Sequence, residues 1–307
     1  YIYLYGNMDM EERLNWMDEH YLSKYDETVI DSAIPKQKAF DTVKELIMEY
    51  PVSENEPEEE NSYLSYNIVA GNSIDVEQNT AFDILDYTLL SAPGAPLKQA
   101  LLDAGMGKDI MGSYEDGIYQ PFFSIVAKNA DPKKKDEFVA LIRSTLEEIV
   151  KKGIDKKAIL AGINYMEFRF READYASYPK GLMYGLDVFD SWLYDDHHPF
   201  DYLCKLKVFE NLKEKAQTRY FEDLIKEYLL DNTHASIVVV NPKRGLAAQR
   251  DKALEEKLEA YKSSLSKEEV EKIVAESAHL KEYQDAPETP EALATIPMLK
   301  RSDISKE

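Results

Sequence analysis

The sequence predicts an α+β fold: one sheet with helices packed on a face, followed by a C-terminal helical hairpin. Three observations predict it. Short β-prone runs bounded by Gly, Pro and Asn alternate with longer segments whose apolar residues recur at steps of three and four. The strands and long helices come in an order that suits one sheet with helices packed on a face. The last sixty or so residues then lose the strand signal and keep a narrow apolar seam among Lys and Glu.

The elements follow in order. Residues 2–5 are β-prone and read as a buried strand, with Gly6-Asn7 as a turn and Asp9 capping a helix that carries Leu14, Met17 and Tyr21. A chain that opens inside a strand is expected to have its natural start elsewhere. Val43, Leu46, Met48 and Tyr50 mark an extended stretch, and the carboxylate-rich segment 54–60 a solvated loop. A strand from Tyr63 to Ala70 comes next, then helices over Ala81–Leu90 and Pro96–Leu102. Two short strands, Asp109–Tyr114 and Tyr119–Lys128, are joined by Glu115-Asp-Gly117.

Val139, Ile142, Leu146 and Ile149 stripe one helix, which Gly153 ends; Asp155 caps its successor, carrying Ile159, Ile163, Met166 and Phe170. Tyr178-Pro179 opens a further helix. A charged helical region leads to a strand, Ile237–Val240, that Pro242 is expected to stop. In the hairpin, Leu254, Leu258, Tyr261 and Leu265 repeat, and Ser266 with Glu269 forms a capping box before Val270, Ile273 and Leu280.

Composition narrows the function classes. The chain has 307 residues with 37 basic and 58 acidic side chains, a net charge of −21. Phosphate binding needs a basic surface, so nucleic acid is excluded as a partner; cationic peptides would be attracted instead. The single cysteine, Cys204, cannot form an internal disulfide, fits a reducing compartment and reads as a small core residue. No apolar run is long enough to span a bilayer.

Chemistry is hard to find. No inverted or standard zinc-peptidase motif, no Cys-x-x-Cys, no nucleophile elbow and no phosphate loop is present. His197-His198, after Asp195-Asp196, is the one local cluster of possible ligands, and adjacent side chains diverge too far to share a metal. No carboxylate spacing selects a general acid and base. Residue types alone therefore give a catalytic set of none and a metal set of none.

Ordered segments carry more. Tyr3-Leu-Tyr-Gly-Asn-Met-Asp9, Leu85-Asp-Tyr-Thr-Leu-Leu-Ser-Ala-Pro-Gly-Ala-Pro-Leu97 and Leu101-Leu-Asp-Ala-Gly-Met-Gly107 occur in sequence. Gln120-Pro-Phe-Phe-Ser124, Glu167-Phe-Arg-Phe-Arg-Glu172, Tyr178-Pro-Lys-Gly-Leu182, Trp192-Leu-Tyr-Asp195 and Pro290-Glu-Ala-Leu293 follow. Together they resemble the presequence proteases, a subfamily of the pitrilysin and insulinase-type zinc metallopeptidases.

The resemblance implies a piece of a larger enzyme that degrades unfolded peptides in a closed chamber, with zinc in the full-length parent and none on this chain. It implies that 1–35 ends a preceding catalytic-type domain, 36–242 is a non-catalytic metallopeptidase-homology domain, and 243–307 is a hairpin linker and tail. The implied partners are the remaining domains of the parent and unfolded, cationic peptides, in the bacterial cytoplasm or an organelle matrix. Lys108 and Tyr114 fall where the fourth domain of such enzymes carries an Arg and a Tyr, and no catalytic role is transferred to them. Ile110, Met111, Gly112 and Ser113 are the candidate substrate residues, because a related strand in insulin-degrading enzymes takes up substrate by strand addition. Gly112 would let a second backbone approach. An internal strand paired on both edges is the other reading of this segment. A stand-alone scaffold of the same fold is the rival for the whole chain.

Overall fold

A computed structural model gives the fold and describes residues 1–296, 298 and 300–303. The chain divides into two compact units, Tyr1–Arg244 and Gly245–Glu307. The first is built on a five-stranded sheet, and the α+β class expected from the sequence is the one found.

The strands are β1 (Lys44–Val52), β2 (Ser62–Val69), β3 (Asp109–Glu115), β4 (Phe122–Ala130) and β5 (Ala235–Arg244), in spatial order β1-β5-β2-β4-β3. β5 runs parallel to β1 and antiparallel to β2; β4 is antiparallel to both β2 and β3. Strict alternation assigns the faces. Along β2, Leu64, Tyr66 and Ile68 are buried, and Tyr63, Ser65, Asn67 and Val69 lie on the opposite, half-open face.

Ahead of this sheet, α1 (Met10–His20) starts at Asp9, whose carboxylate accepts the Glu12 N–H at 3.0 Å. The helices are α2 (Val76–Asp86, capped by Asp75), α3 (Pro96–Asp103), α4 (Lys135–Lys152), α5 (Lys156–Glu172, capped by Asp155), α6 (Lys180–Trp192), α7 (Leu206–Lys215) and α8 (Tyr220–Leu224). α2, α3 and α4 pack on the first face of the sheet, α5 and α7 pack on α2, and α6 packs on the turn Asp201–Cys204. The core sits between helices and sheet: Phe82, Ile84 and Leu85 meet Ile142, Ile159, Ile163, Phe123 and Ile125, each 0% exposed. At roughly 2 kcal/mol for each large side chain buried, this layer dominates the unit's stability.

Three expectations are corrected. Residues 2–5 form no strand, because no neighbour among the described residues pairs with them. They run extended along α6, where the Tyr5 and Tyr3 rings press on Gly181 and Gly185; a Cβ at Gly181 would lie 2.2 Å from the Tyr5 ring. Pro242 does not stop β5. Pairing to β2 ends at Val240, so beyond it the strand has one neighbour only and a residue without an N–H is tolerated. Cys204 is exposed rather than in the core, since the short turn Asp201–Cys204 gives its buried position to Tyr202.

The second unit contains α9 (Leu246–Ser264) and α10 (Lys267–Asp285), joined at Ser266, whose capping box with Glu269 is formed as the sequence predicted. The short α11 (Pro290–Ala294) comes last, and the final part of the expected tail lies outside the described residues.

Candidate functional site

The residues proposed from sequence sit on β3, and β3 is an edge of the sheet. Its one strand partner among the described residues is β4, with Met111 opposite Val126, Gly112 opposite Ile125 and Ser113 opposite Ser124. Within the described residues β3 is therefore paired on one side only, unlike the reading in which both its edges are paired. The outer edge keeps backbone donors and acceptors free of ladder pairing, the arrangement that strand addition uses.

The four residues do not share one environment. Ile110 is 0% exposed and points into the core, while Met111 is half exposed on the opposite face. Gly112 faces the helices. A Cβ there would lie 2.3 Å from Leu90 Cδ1 and 2.6 Å from Asp86 Oδ1. The glycine therefore makes room for the turn after α2, and the expected reason for it, approach by a second backbone, is corrected.

Tyr114 anchors the same strand. Its hydroxyl lies 2.6 Å from Asn79 Oδ1 and 2.8 Å from the Ala70 carbonyl. The Asn79 amide in turn donates to the Asn72 carbonyl and the Tyr202 hydroxyl, which donates to the Ser73 carbonyl at 2.6 Å. Burial raises the Tyr114 and Tyr202 pKa values well above the usual phenol range. Both hydroxyls are structural crosslinks between β3, α2 and the turn before α2.

Sequence reading missed the electrostatics beside this strand. Asp83 and Asp86 on α2, Asp187 and Asp190 on α6, and Glu115-Asp116 at the end of β3 act on one another, with Lys205 and Arg169 as the opposing cations. Burial, then Asp116, pushes Asp83 up to about 8. Burial also raises Asp190 to about 7 and Asp86 to about 6. Asp86 Oδ2 accepts from Ser91 at 3.2 Å, and its buried Oδ1 has no partner among the described residues. The i, i+3 spacing within each pair was readable, but only the fold brings α2 and α6 to the same strand end.

Among the described residues no group of three or more His, Cys, Asp or Glu could hold a metal ion. His198 Nδ1 is 2.9 Å from Asp201 Oδ2, and Asp195 accepts the His197 N–H, so this cluster stabilises its own loop.

A sequence model of the family described as "Peptidase M16 inactive domain" matches residues 1–166. A second model, of the region associated with subfamily C of the same peptidases, matches residues 240–307. The chain belongs to the M16 peptidase family. It is 42% identical over its whole length to Protein HypA of Clostridium perfringens, covering 31% of that protein. It is 29% identical over its whole length to Presequence protease 1, chloroplastic/mitochondrial, of Arabidopsis thaliana, covering 29% of it. The chain thus spans about a third of the length of these relatives. Two solved structures share the fold at a TM-score of 0.53: a protease from Helicobacter pylori (16% identity, 77% of this chain, 54% of that one) and a putative M16-like peptidase from Alicyclobacillus acidocaldarius (20%, 78% and 53%). The resemblance to presequence proteases found from sequence holds, and residues 1–166 match the family's inactive domain.

Proposed function

We propose that this M16 chain is an interior, non-catalytic part of a zinc metalloendopeptidase that degrades unfolded peptides inside a closed chamber. The observation that carries its own contribution is the edge position of β3. Main-chain hydrogen bonds along that edge would hold a substrate strand without reading its side chains, which suits an enzyme that must accept many sequences. Of Ile110, Met111, Gly112 and Ser113, the backbone supplies the binding; Ile110 and Gly112 fix the strand against the helices, and Met111 is free to touch the guest. The rest of residues 36–242 is chamber wall, the α9–α10 hairpin a hinge, and residues 1–35 the end of the preceding domain.

The −21 charge and the carboxylates beside β3 favour peptides rich in Lys and Arg. Zinc would belong to the parent, where the chemistry it would supply is polarisation of the scissile carbonyl. No helix among the described residues is long and apolar enough to cross a membrane, and the proposed setting is the bacterial cytoplasm, with an organelle matrix as the alternative. The test compares this chain with its longer parent. The chain alone is expected to hydrolyse no peptide and to retain no zinc after dialysis, while the parent cleaves unfolded peptides and loses activity to a chelator. A chelator-insensitive or inactive parent that still binds peptides would favour the scaffold reading.

A further inference from the structure

The open face of the sheet carries a pocket that strand docking on β3 does not use. It has a volume of about 380 Å³ and lies over the end of β5, β2 and β4, beside the segment that leads into β1. Its apolar walls are Phe40, Phe122 and Val69; its polar groups are His234, Asn67 and Ser236. Register explains the grouping. Asn67 pairs with Ser236 on one side and Ser124 on the other, and Val69 pairs with Phe122 while its N–H donates to the His234 carbonyl. Phe40 is held there from outside the sheet: Thr233 Oγ1 donates to its carbonyl at 2.8 Å, and its ring meets the His234 imidazole edge-to-face at 4.7 Å.

The polar groups are unspent. His234 is 6% exposed, yet among the described residues no hydrogen bond reaches its ring nitrogens. Asn67 Oδ1 accepts from Ser65 and Ser124, leaving the amide N–H₂ without a partner among the described residues. A neutral donor–acceptor set beside apolar walls, open to the pocket, suits a guest with an apolar body and one polar tip. Burial lowers the His234 pKa, which keeps the ring neutral and able to accept or donate. No carboxylate, lysine or arginine lines the pocket, which disfavours charged guests. The volume is at the small end for ligand pockets, enough for one ring and too little for an extended cofactor.

We propose that this pocket binds a phenolic side chain, the tyrosine of an extended peptide, with its ring between Phe40 and Phe122 and its hydroxyl on His234, Ser236 and Asn67. The inference names a side-chain preference within the peptide-binding reading and rests on that reading for its biological guest. It does not need β3 to be occupied.

The probes are N-acetyl-tyrosinamide and N-acetyl-phenylalaninamide, titrated onto the full chain while the His234 imidazole signals are followed by NMR. The tyrosine amide is expected to shift those signals saturably and to bind several-fold more tightly than the phenylalanine amide, the worth of one hydrogen bond. His234→Phe should erase that ratio while keeping phenylalanine binding. Ser236→Ala, milder for folding, should reduce it. Equal affinities in the wild type, or no response at His234, would overturn the proposal. Tyrosine selectivity in a chain whose β3 never gains protection from peptides would keep the pocket and discard the edge.

Discussion

Two helical pairs in this chain carry similar apolar stripes and meet opposite fates. In α4 and α5, Ile142, Ile159 and Ile163 are 0% exposed and Leu146 1%. In α9 and α10, Leu254, Leu258 and Leu280 are each more than half exposed, and Ile273 is 43% exposed. Periodicity tells that a segment is helical and which face is apolar. It does not tell whether anything covers that face. The hairpin's helices are instead supported locally, by the Ser266 capping box and by i,i+4 pairs such as Lys267–Glu271 and Lys272–Glu276, each worth a few tenths of a kcal/mol.

The largest expected contrast is in substitution. Ile163→Ala should cost about 2–5 kcal/mol in urea unfolding, since it opens a cavity under α2. Leu258→Ala should cost less than about 0.5 kcal/mol, as for an exposed position. Equal losses would mean that the hairpin seam is buried after all.

The second contrast is electrostatic and belongs to the first unit alone. Asp83, Asp190 and Asp86 have folded pKa values raised above those of an unfolded carboxyl. Their contribution is fully present below the unfolded value near 4 and is lost as pH rises through about 6 to 8. Melting temperature should therefore fall between about pH 5 and pH 8.5. Asp83→Asn should flatten that fall, recovering roughly 1–3 kcal/mol at the alkaline end. A variant as pH-sensitive as the parent would remove Asp83 from the account.

The smallest effect lies in the hairpin. Ser266→Ala removes the cap of α10 and should cost about 1 kcal/mol, read as faster amide exchange in the first turn of that helix. Hairpin amides as a class should exchange faster than those from Ile159 to Phe170. Comparable protection in the two would erase the comparison.

The sequence made the elements legible where local chemistry decides them. Asp9, Asp155 and Ser266 each cap the helix expected, and Gly153 ends α4. Non-local facts were out of reach. Nothing local places β5 between β1 and β2, or makes β3 an edge. Tyr3 and Tyr5 have strand-like residue types but pack on Gly181 and Gly185, which lie far away in sequence. The candidate site was legible as a short strand with a glycine, while the glycine's reason was not, because Leu90 and Asp86 arrive from another element. His234 has no motif around it in the sequence, and only the fold sets it against Phe40 and Asn67.

The most direct test of the central claim follows amide exchange across the chain with a saturating, Lys- and Arg-rich unfolded peptide. The account predicts new protection on Asp109–Glu115, weakened by raising salt from about 50 to 500 mM and kept when the peptide sequence is scrambled. It also predicts that the protection disappears when alternate peptide amides are N-methylated, since strand pairing is then blocked. Protection that survives N-methylation, or that appears elsewhere while β3 exchanges as before, would contradict it.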